Sequence, residues 1–252
     1  MKRSVMSEAA ENKNNAATEP PVFDKTGLPE SWEAAVLLVD KPVGLTSFGV
    51  VKRIRHRVPV RKVGHAGTLD PMATGLLIIL VGRATKAMER FMGQDKTYTG
   101  TIRLGETTPS YDAESEVLER RATDHLSDED VATATRPFIG TIEQRPPAFS
   151  AIKIGGERLY KKARRGEDIE LPLRSVRVDS FDVDPMRGSD VDFSVTCSKG
   201  TYIRSLAHDL GAELGVGGHL VGLRRTGSGS FRVDQAWELN ELLAQLEEQQ
   251  DA

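Results

Sequence analysis

Short apolar runs, broken by glycine, proline and charge, set the rhythm of the chain. Ala34–Val39 and Leu76–Val81 are unbroken and short, the pattern of buried strands. Tyr98, Gly100, Ile102 and Leu104 alternate with polar positions, as on a half-buried strand, and so do Val176/Val178 and Phe193/Val195/Cys197. Other stretches change to helical spacing. Val50, Val51, Ile54 and Val58 follow Ser47, read as a helix cap, and leave a run of arginines on the opposite face. Ser127 and Asp130 have the spacing of a capping box for a helix around Val131–Phe138. Tyr202, Ile203, Leu206, Ala207, Leu210 and Leu214 form the strongest helical stripe, closed by Gly211 or Gly215. Leu239, Leu242, Leu243 and Leu246 predict a last amphipathic helix. Residues 1 to about 30, rich in Ala, Asn, Glu and Pro, show no periodicity and read as a mobile extension. Strands in hairpin-like pairs mixed with helices predict an α+β fold, without internal repeats.

The length of 252 residues suits one large domain or two small ones. A lone Cys197 excludes a disulfide framework and fits a reducing compartment. No apolar run is long enough to cross a bilayer, and no apolar stretch follows Lys2 and Arg3 as in a secretory signal, so cytoplasm is the expectation. The net charge of −3 hides strong asymmetry. Val51–His65 carries six basic residues and no acidic one. Gln144–Gly166 carries seven basic residues against Glu157, whereas Glu106–Asp130 carries nine acidic residues against two arginines. Two basic blocks on a near-neutral protein are the footprint of a polyanion partner, or else solvated helix faces.

Several chemistries fall away. Asp24-Lys25-Thr26-Gly27 matches a phosphorylated-aspartate motif but lies in the extension, with no strand to hold it. Asp70-Pro71-Met72-Ala73-Thr74 has the outer residues of an aspartate-nucleophile phosphatase, but Met72 stands where the proton-handling aspartate is needed. Ser198-Lys199-Gly200-Thr201 lacks the glycine run that wraps phosphates. The five histidines have no metal-ligand spacing. Neither a cofactor nor a metal is expected, so any chemistry rests on ordinary side chains.

What remains is Val63–Gly75, a loop with glycines at 64, 67 and 75, His65, and Asp70 locked before Pro71. A carboxylate beside a polyanion site repels phosphate. It makes sense as a nucleophile or general base, the bland alternative being a turn cap.

This loop resembles the catalytic motif of the TruB family of tRNA pseudouridine synthases. Five further blocks resemble that family in order: Asp40–Ser47, Lys96–Gly100, Gln144–Lys153 with Leu159-Tyr160, Cys197–Leu206 and His219–Arg225. The resemblance implies a pseudouridine synthase fold, a mixed, mostly antiparallel sheet flanked by helices with an RNA-gripping thumb at about 144–166. The catalytic domain is expected over 32–237, after an extension over 1–31 and before a C-terminal helix and tail over 238–252 too short for a full PUA-type RNA-binding domain. The implied activity is isomerisation of uridine to pseudouridine in the T loop of tRNA, without cofactor, by a monomer. Asp70 is the implied nucleophile, Arg204 its ionic partner and Tyr98 the ring stacked on the flipped uracil. Tyr202 and Leu223 line the pocket. His65 occupies the space vacated by the flipped base or touches its phosphate, and Gly67, Thr68, Lys41, Lys153, Tyr160 and Lys199 bind substrate or RNA. The thumb is expected to be mobile around 145–165. Asp112 appears in a loop whose surroundings depart from the family pattern.

Overall fold

The computed structural model describes residues 19–150, 153–154, 157–158, 165, 167 and 171–251. Among the described residues, fifteen strands and five α-helices follow one another. The first half holds β1 (Val22–Phe23), β2 (Ala34–Lys41), α1 (Ser47–Arg55), β3 (Val63–His65), β4 (Thr74–Gly82), α2 (Met88–Gly93), β5 (Lys96–Leu104), β6 (Glu106–Thr107) and β7 (Glu119–Arg120). Then come α3 (Asp128–Ala134), β8 (Gly140–Gln144), β9 (Lys153–Ile154), β10 (Glu157–Arg158), β11 (Arg174–Val183) and β12 (Asp190–Cys197). The chain closes with α4 (Ile203–Glu213), β13 (Gly218–Ser228), β14 (Phe231–Arg232), β15 (Trp237–Glu238) and α5 (Leu239–Asp251).

One eleven-stranded sheet organises the molecule, in the order β1-β2-β4-β13-β5-β12-β11-β8, with β3 on β4, β14 on β13 and β15 on β2. The pairs β1–β2, β15–β2 and β13–β4 are parallel and the others antiparallel, so the sheet is mixed and mostly antiparallel as expected. β2 and β4 are covered on both faces, which is why their sequences are continuous apolar runs. Leu37, Val39, Leu77 and Ile79 meet α1 and α5 on one side, and Val36, Leu38, Ile78 and Leu80 meet Phe91 and Ala84 on the other. β5, β12 and β11 bury one face only, against α4 and α3, so they alternate. Leu239, Leu242, Leu243 and Leu246 of α5 are buried, as their spacing predicts.

Three readings change. Ser47 is not the cap of α1: Thr46 is extended and its side chain accepts the Gly49 N–H at 2.9 Å, while Ser47 is the first, buried helical residue. The helix at Ser127 has its capping box but ends at Ala134, because Pro137 forces a 3₁₀ turn over Arg136–Phe138. The extension does not reach residue 31 without structure. β1 pairs in parallel with Val36 and Leu37, and Lys25 donates to the Gln235 carbonyl at 2.9 Å. In the arm, β9 and β10 pair antiparallel. Tyr160, the side chain of Lys153 and most of the segment expected to be mobile lie outside the described residues.

Candidate active site

Asp70 is held by backbone bolts on both sides. From α1, the Ser47 hydroxyl donates to the Leu69 carbonyl at 3.0 Å and accepts the Leu69 N–H at 2.8 Å. On the other side, Gly44 N–H donates to the Pro71 carbonyl at 2.8 Å and Ala73 N–H to the Asp70 carbonyl at 3.1 Å. Lys41 Nζ closes the corner by donating to the carbonyls of Pro42, Leu45 and Pro71 at 2.9, 2.7 and 3.3 Å. Beneath the loop lies Arg225 of β13, fully buried, donating to the Leu76 carbonyl at 2.7 Å and the Gly67 carbonyl at 3.1 Å. Gly67 and Gly75 both have φ near +100°, so the turns at either end of the loop need glycine. At Gly75 a Cβ would lie 2.3 Å from the Arg225 carbonyl oxygen.

On this frame the Asp70 carboxylate is about one-third exposed (36%) and faces Arg204, which is 5% exposed. Arg204 Nε lies 3.0 Å from Asp70 Oδ2, but its N–H is not well aligned on that oxygen, so the contact is ionic rather than a directed hydrogen bond. The rest of the guanidinium is tied down. Nη1 donates to the Ser110 carbonyl at 3.0 Å and lies 3.2 Å from Asp112 Oδ2, and Nη2 donates to the Phe149 carbonyl at 3.0 Å. Asp112 is 1% exposed and is itself satisfied by the Ser110 hydroxyl and the Glu114 N–H. One buried cation thus serves two carboxylates, one closed off and one open. Burial pushes the Asp70 pKa up, Arg204 pulls it down, and the charge of Asp112 pushes it up again, leaving it above the ordinary carboxylate range.

Tyr98 is buried on β5 opposite Arg225 in the register of β13. Burial raises its phenol pKa, with the Arg225 cation opposing and the Asp70 charge adding to the rise, so the ring lies within electrical reach of both. His65 ends β3 with a buried Nδ1 that has no partner, and its pKa is lowered by burial and then by Arg225. Tyr202 precedes α4 in extended conformation. Gln144 grips it by accepting its N–H at 2.7 Å and donating to its carbonyl at 3.0 Å, while the Arg174 guanidinium lies 5.3 Å above its ring. Leu223, half-buried, pairs with Gly100, where a Cβ would strike the Gly222 carbonyl at 2.4 Å. Thr68 and Lys199 are exposed.

Lys41 departs from expectation. A side chain with 0% exposure and three carbonyl partners does not reach RNA, and burial brings its pKa down to about 8. It is a staple for the Asp70 loop. Two residues escape pattern reading in the opposite sense. Arg225 carries no sign that its strand is buried, and Asp112 carries none that its acidic loop turns inward onto Arg204.

Comparison with known proteins fits this geometry. The model of the TruB family pseudouridylate synthase N-terminal domain matches residues 55–203, and that of the tRNA pseudouridylate synthase B C-terminal domain matches residues 204–252. A tRNA pseudouridine synthase B of Thermobifida fusca (strain YX) is 52% identical over 219 residues, covering 84% of this chain and 75% of the relative. One of Paenarthrobacter aurescens (strain TC1) is 50% identical over 220 residues, covering 85% and 71%. Among solved structures, a chain of a Cbf5–Nop10–Gar1 complex superimposes with a TM-score of 0.67 at 31% identity, covering 88% of this chain and 58% of that one. With both family models matched end to end across Asp70, Tyr98 and Arg204, the chain belongs to the TruB family of pseudouridylate synthases.

Proposed function

We propose that this chain converts a uridine of tRNA to pseudouridine, at the T-loop position conventionally numbered 55, with Asp70 as nucleophile. The observation that carries the reading is the Asp70 carboxylate, left partly open on a bolted loop and paired with a buried arginine that a second carboxylate neutralises. A group so placed is poised for attack rather than for binding phosphate. A base inside a stacked loop has to be extruded before a side chain reaches its sugar. Across the reaction the bond from C1′ to N1 breaks and one from C1′ to C5 forms. N1 takes up a proton and C5 releases its own, so substrate and product are isomers. Asp70 attacks either the ribose or the base and later departs.

Arg204 opposes the rise that burial imposes on the Asp70 pKa and so favours the ionised carboxylate. Burial favours Tyr98 as a neutral phenol suited to stacking on the uracil; to accept the C5 proton it must first give up its own, and the adjacent Arg225 cation eases that loss. In this reading Tyr202 and Leu223 wall the uracil pocket, and His65, Gly67 and Thr68 border it. Lys199 and the arm over 144–166, with Lys153 and Tyr160, grip the RNA backbone. The reading needs no metal and no cofactor, and it places the protein in the cytoplasm as a monomer whose partner is the T stem-loop of tRNA. Among the described residues no helix is long and apolar enough to cross a membrane.

Tritium release from a tRNA transcript carrying 5-tritiated uridine tests the proposal. Wild type is expected to release tritium in excess chelator, and Asp70→Asn to release none while still binding RNA. Release by the variant would remove Asp70 from the nucleophile role. Binding without release by either protein would overturn the reaction itself.

A further inference from the structure

Asp112 is set in place by a loop with an unusual neighbour. Tyr111 has φ +62°, the one described non-glycine residue with positive φ. Tyrosine rarely adopts this conformation, and such strain persists only where the surroundings fix it. The fixing contacts are visible. Tyr111 N–H donates to the Thr108 carbonyl at 3.3 Å, its carbonyl accepts the Leu220 N–H at 3.0 Å, and its ring lies flat on the His208 imidazole, with centroids 3.8 Å apart and planes 10° from parallel. His208 follows Arg204 by four residues on α4, so the two share one side of that helix. Two successive loop residues therefore meet two successive turns of the helix. Asp112 meets Arg204 at 3.2 Å, and Tyr111 covers His208. The reaction derived above uses neither ring, and the buried His208 Nδ1 has no hydrogen-bond partner, so polar bonding at that atom does not account for the contact.

We infer that the Tyr111–His208 stack is a positioning device for the reaction, clamping the 108–114 loop onto α4 so that Asp112 holds Arg204 at the angle Asp70 requires. The inference rests on the proposed synthase reading. The left-handed turn at Tyr111 aims the ring at the helix and the next side chain at Arg204 in one step. Without the ring, the loop keeps its backbone bonds to Leu220 but loses its only stacked contact with α4 among the described residues. Neither residue touches substrate in this arrangement.

The test is the single-turnover rate at saturating enzyme, with RNA affinity and melting temperature measured on the same proteins. Tyr111→Gly is the informative variant, because glycine accepts the positive φ without strain and the fold survives. Its rate is expected to fall about 10- to 100-fold, the penalty typical of a small misplacement of reacting groups, with RNA affinity unchanged. The acid limb of its rate profile should move to higher pH, since Arg204 lowers the Asp70 pKa more than Asp112 raises it, and Lys41, the remaining cation acting on Asp70, keeps its place. Tyr111→Phe and His208→Phe, which keep a ring on each side, should run at the wild-type rate. A Tyr111→Gly enzyme with wild-type rate and pH profile would overturn the inference. So would His208→Phe losing as much rate as His208→Ala. Wild-type release of tritium in the same assay separates such a failure from failure of the synthase reading.

Discussion

Arg204 faces two carboxylates, and removing any one of the three groups has a distinct signature. Arg204→Met leaves Asp112 buried without its cation, so stability should fall by about 3–5 kcal/mol in a urea melt. It also removes the main influence lowering the Asp70 pKa, so any residual rate should have its acid limb at higher pH. Asp112→Asn is isosteric and keeps an oxygen against Arg204 Nη1, so Arg204 stays in place while a charge that raises the Asp70 pKa is lost, and the limb should move the other way, to lower pH. Opposite shifts in the two variants check the arrangement; shifts of the same sign would contradict it. Lys41→Met tests the staple. It strips the donor from three carbonyls, each worth about 1 kcal/mol or more when left unpaired in the interior, and should lower the melting temperature with little change in RNA affinity. Asp70, Tyr98 and Arg204 were legible as sequence because they lie in long motifs. The partner of Arg204 was not, since an aspartate in a stretch of nine acidic residues reads as surface until the chain path turns it inward.

At the scale of elements, the parallel joint between β4 and β13 carries the loop. Arg224 and Arg225 pair with Thr74 and Gly75, and Arg225 then reaches back to hold Gly67. Gly75→Ala puts a Cβ against three Arg225 backbone atoms at a φ of +101°. Both overpacking and strain oppose it, each at about 1–3 kcal/mol, and the joint has to open. A loss of about 3 kcal/mol in stability is expected, with activity falling further than stability alone explains because Arg225 shifts beneath Asp70. Ala34–Val39 and Leu76–Val81 announced their strands because burial on both faces leaves no polar position. β13 is the longest strand and announced nothing. Gly218, Gly222 and Gly227 interrupt it, and two register shifts against β5 break its alternation, while Arg224 and Arg225 look like surface charges. Thr46 took the cap from Ser47 for a reason no local pattern holds, namely that Ser47 is needed by Leu69, 22 residues away.

Over the whole molecule, charge is a local matter. A net charge of −3 repels RNA weakly and only within a Debye length of about 8–10 Å, so the arrangement of cations decides binding. α1 buries Val50, Val51 and Ile54 and leaves Lys52, Arg53 and Arg55 exposed, with Phe48 exposed at its start. Because Ser47 bonds Leu69, α1 starts beside the loop that carries Asp70, and its three cations lie in its last turn. Arg57, at its far end, pairs with Glu247 of α5 at 2.6 Å. If RNA phosphates lie along the face, replacing Lys52, Arg53 and Arg55 together by glutamine removes three contacts. The slope of log affinity against log salt should then fall by about 2, at roughly 0.7 for each phosphate of a single strand. The single-turnover rate at saturating enzyme should be unchanged, since none of the three holds Asp70. The control is Arg83→Gln, Arg177→Gln and Arg187→Gln, which changes net charge equally but removes cations already paired with Glu33, with Asp95 and Asp179, and with Asp192. That triple variant should leave the slope as in wild type. Equal losses in both triples would mean that RNA senses only the overall charge, and α1 would then be a solvated helix face.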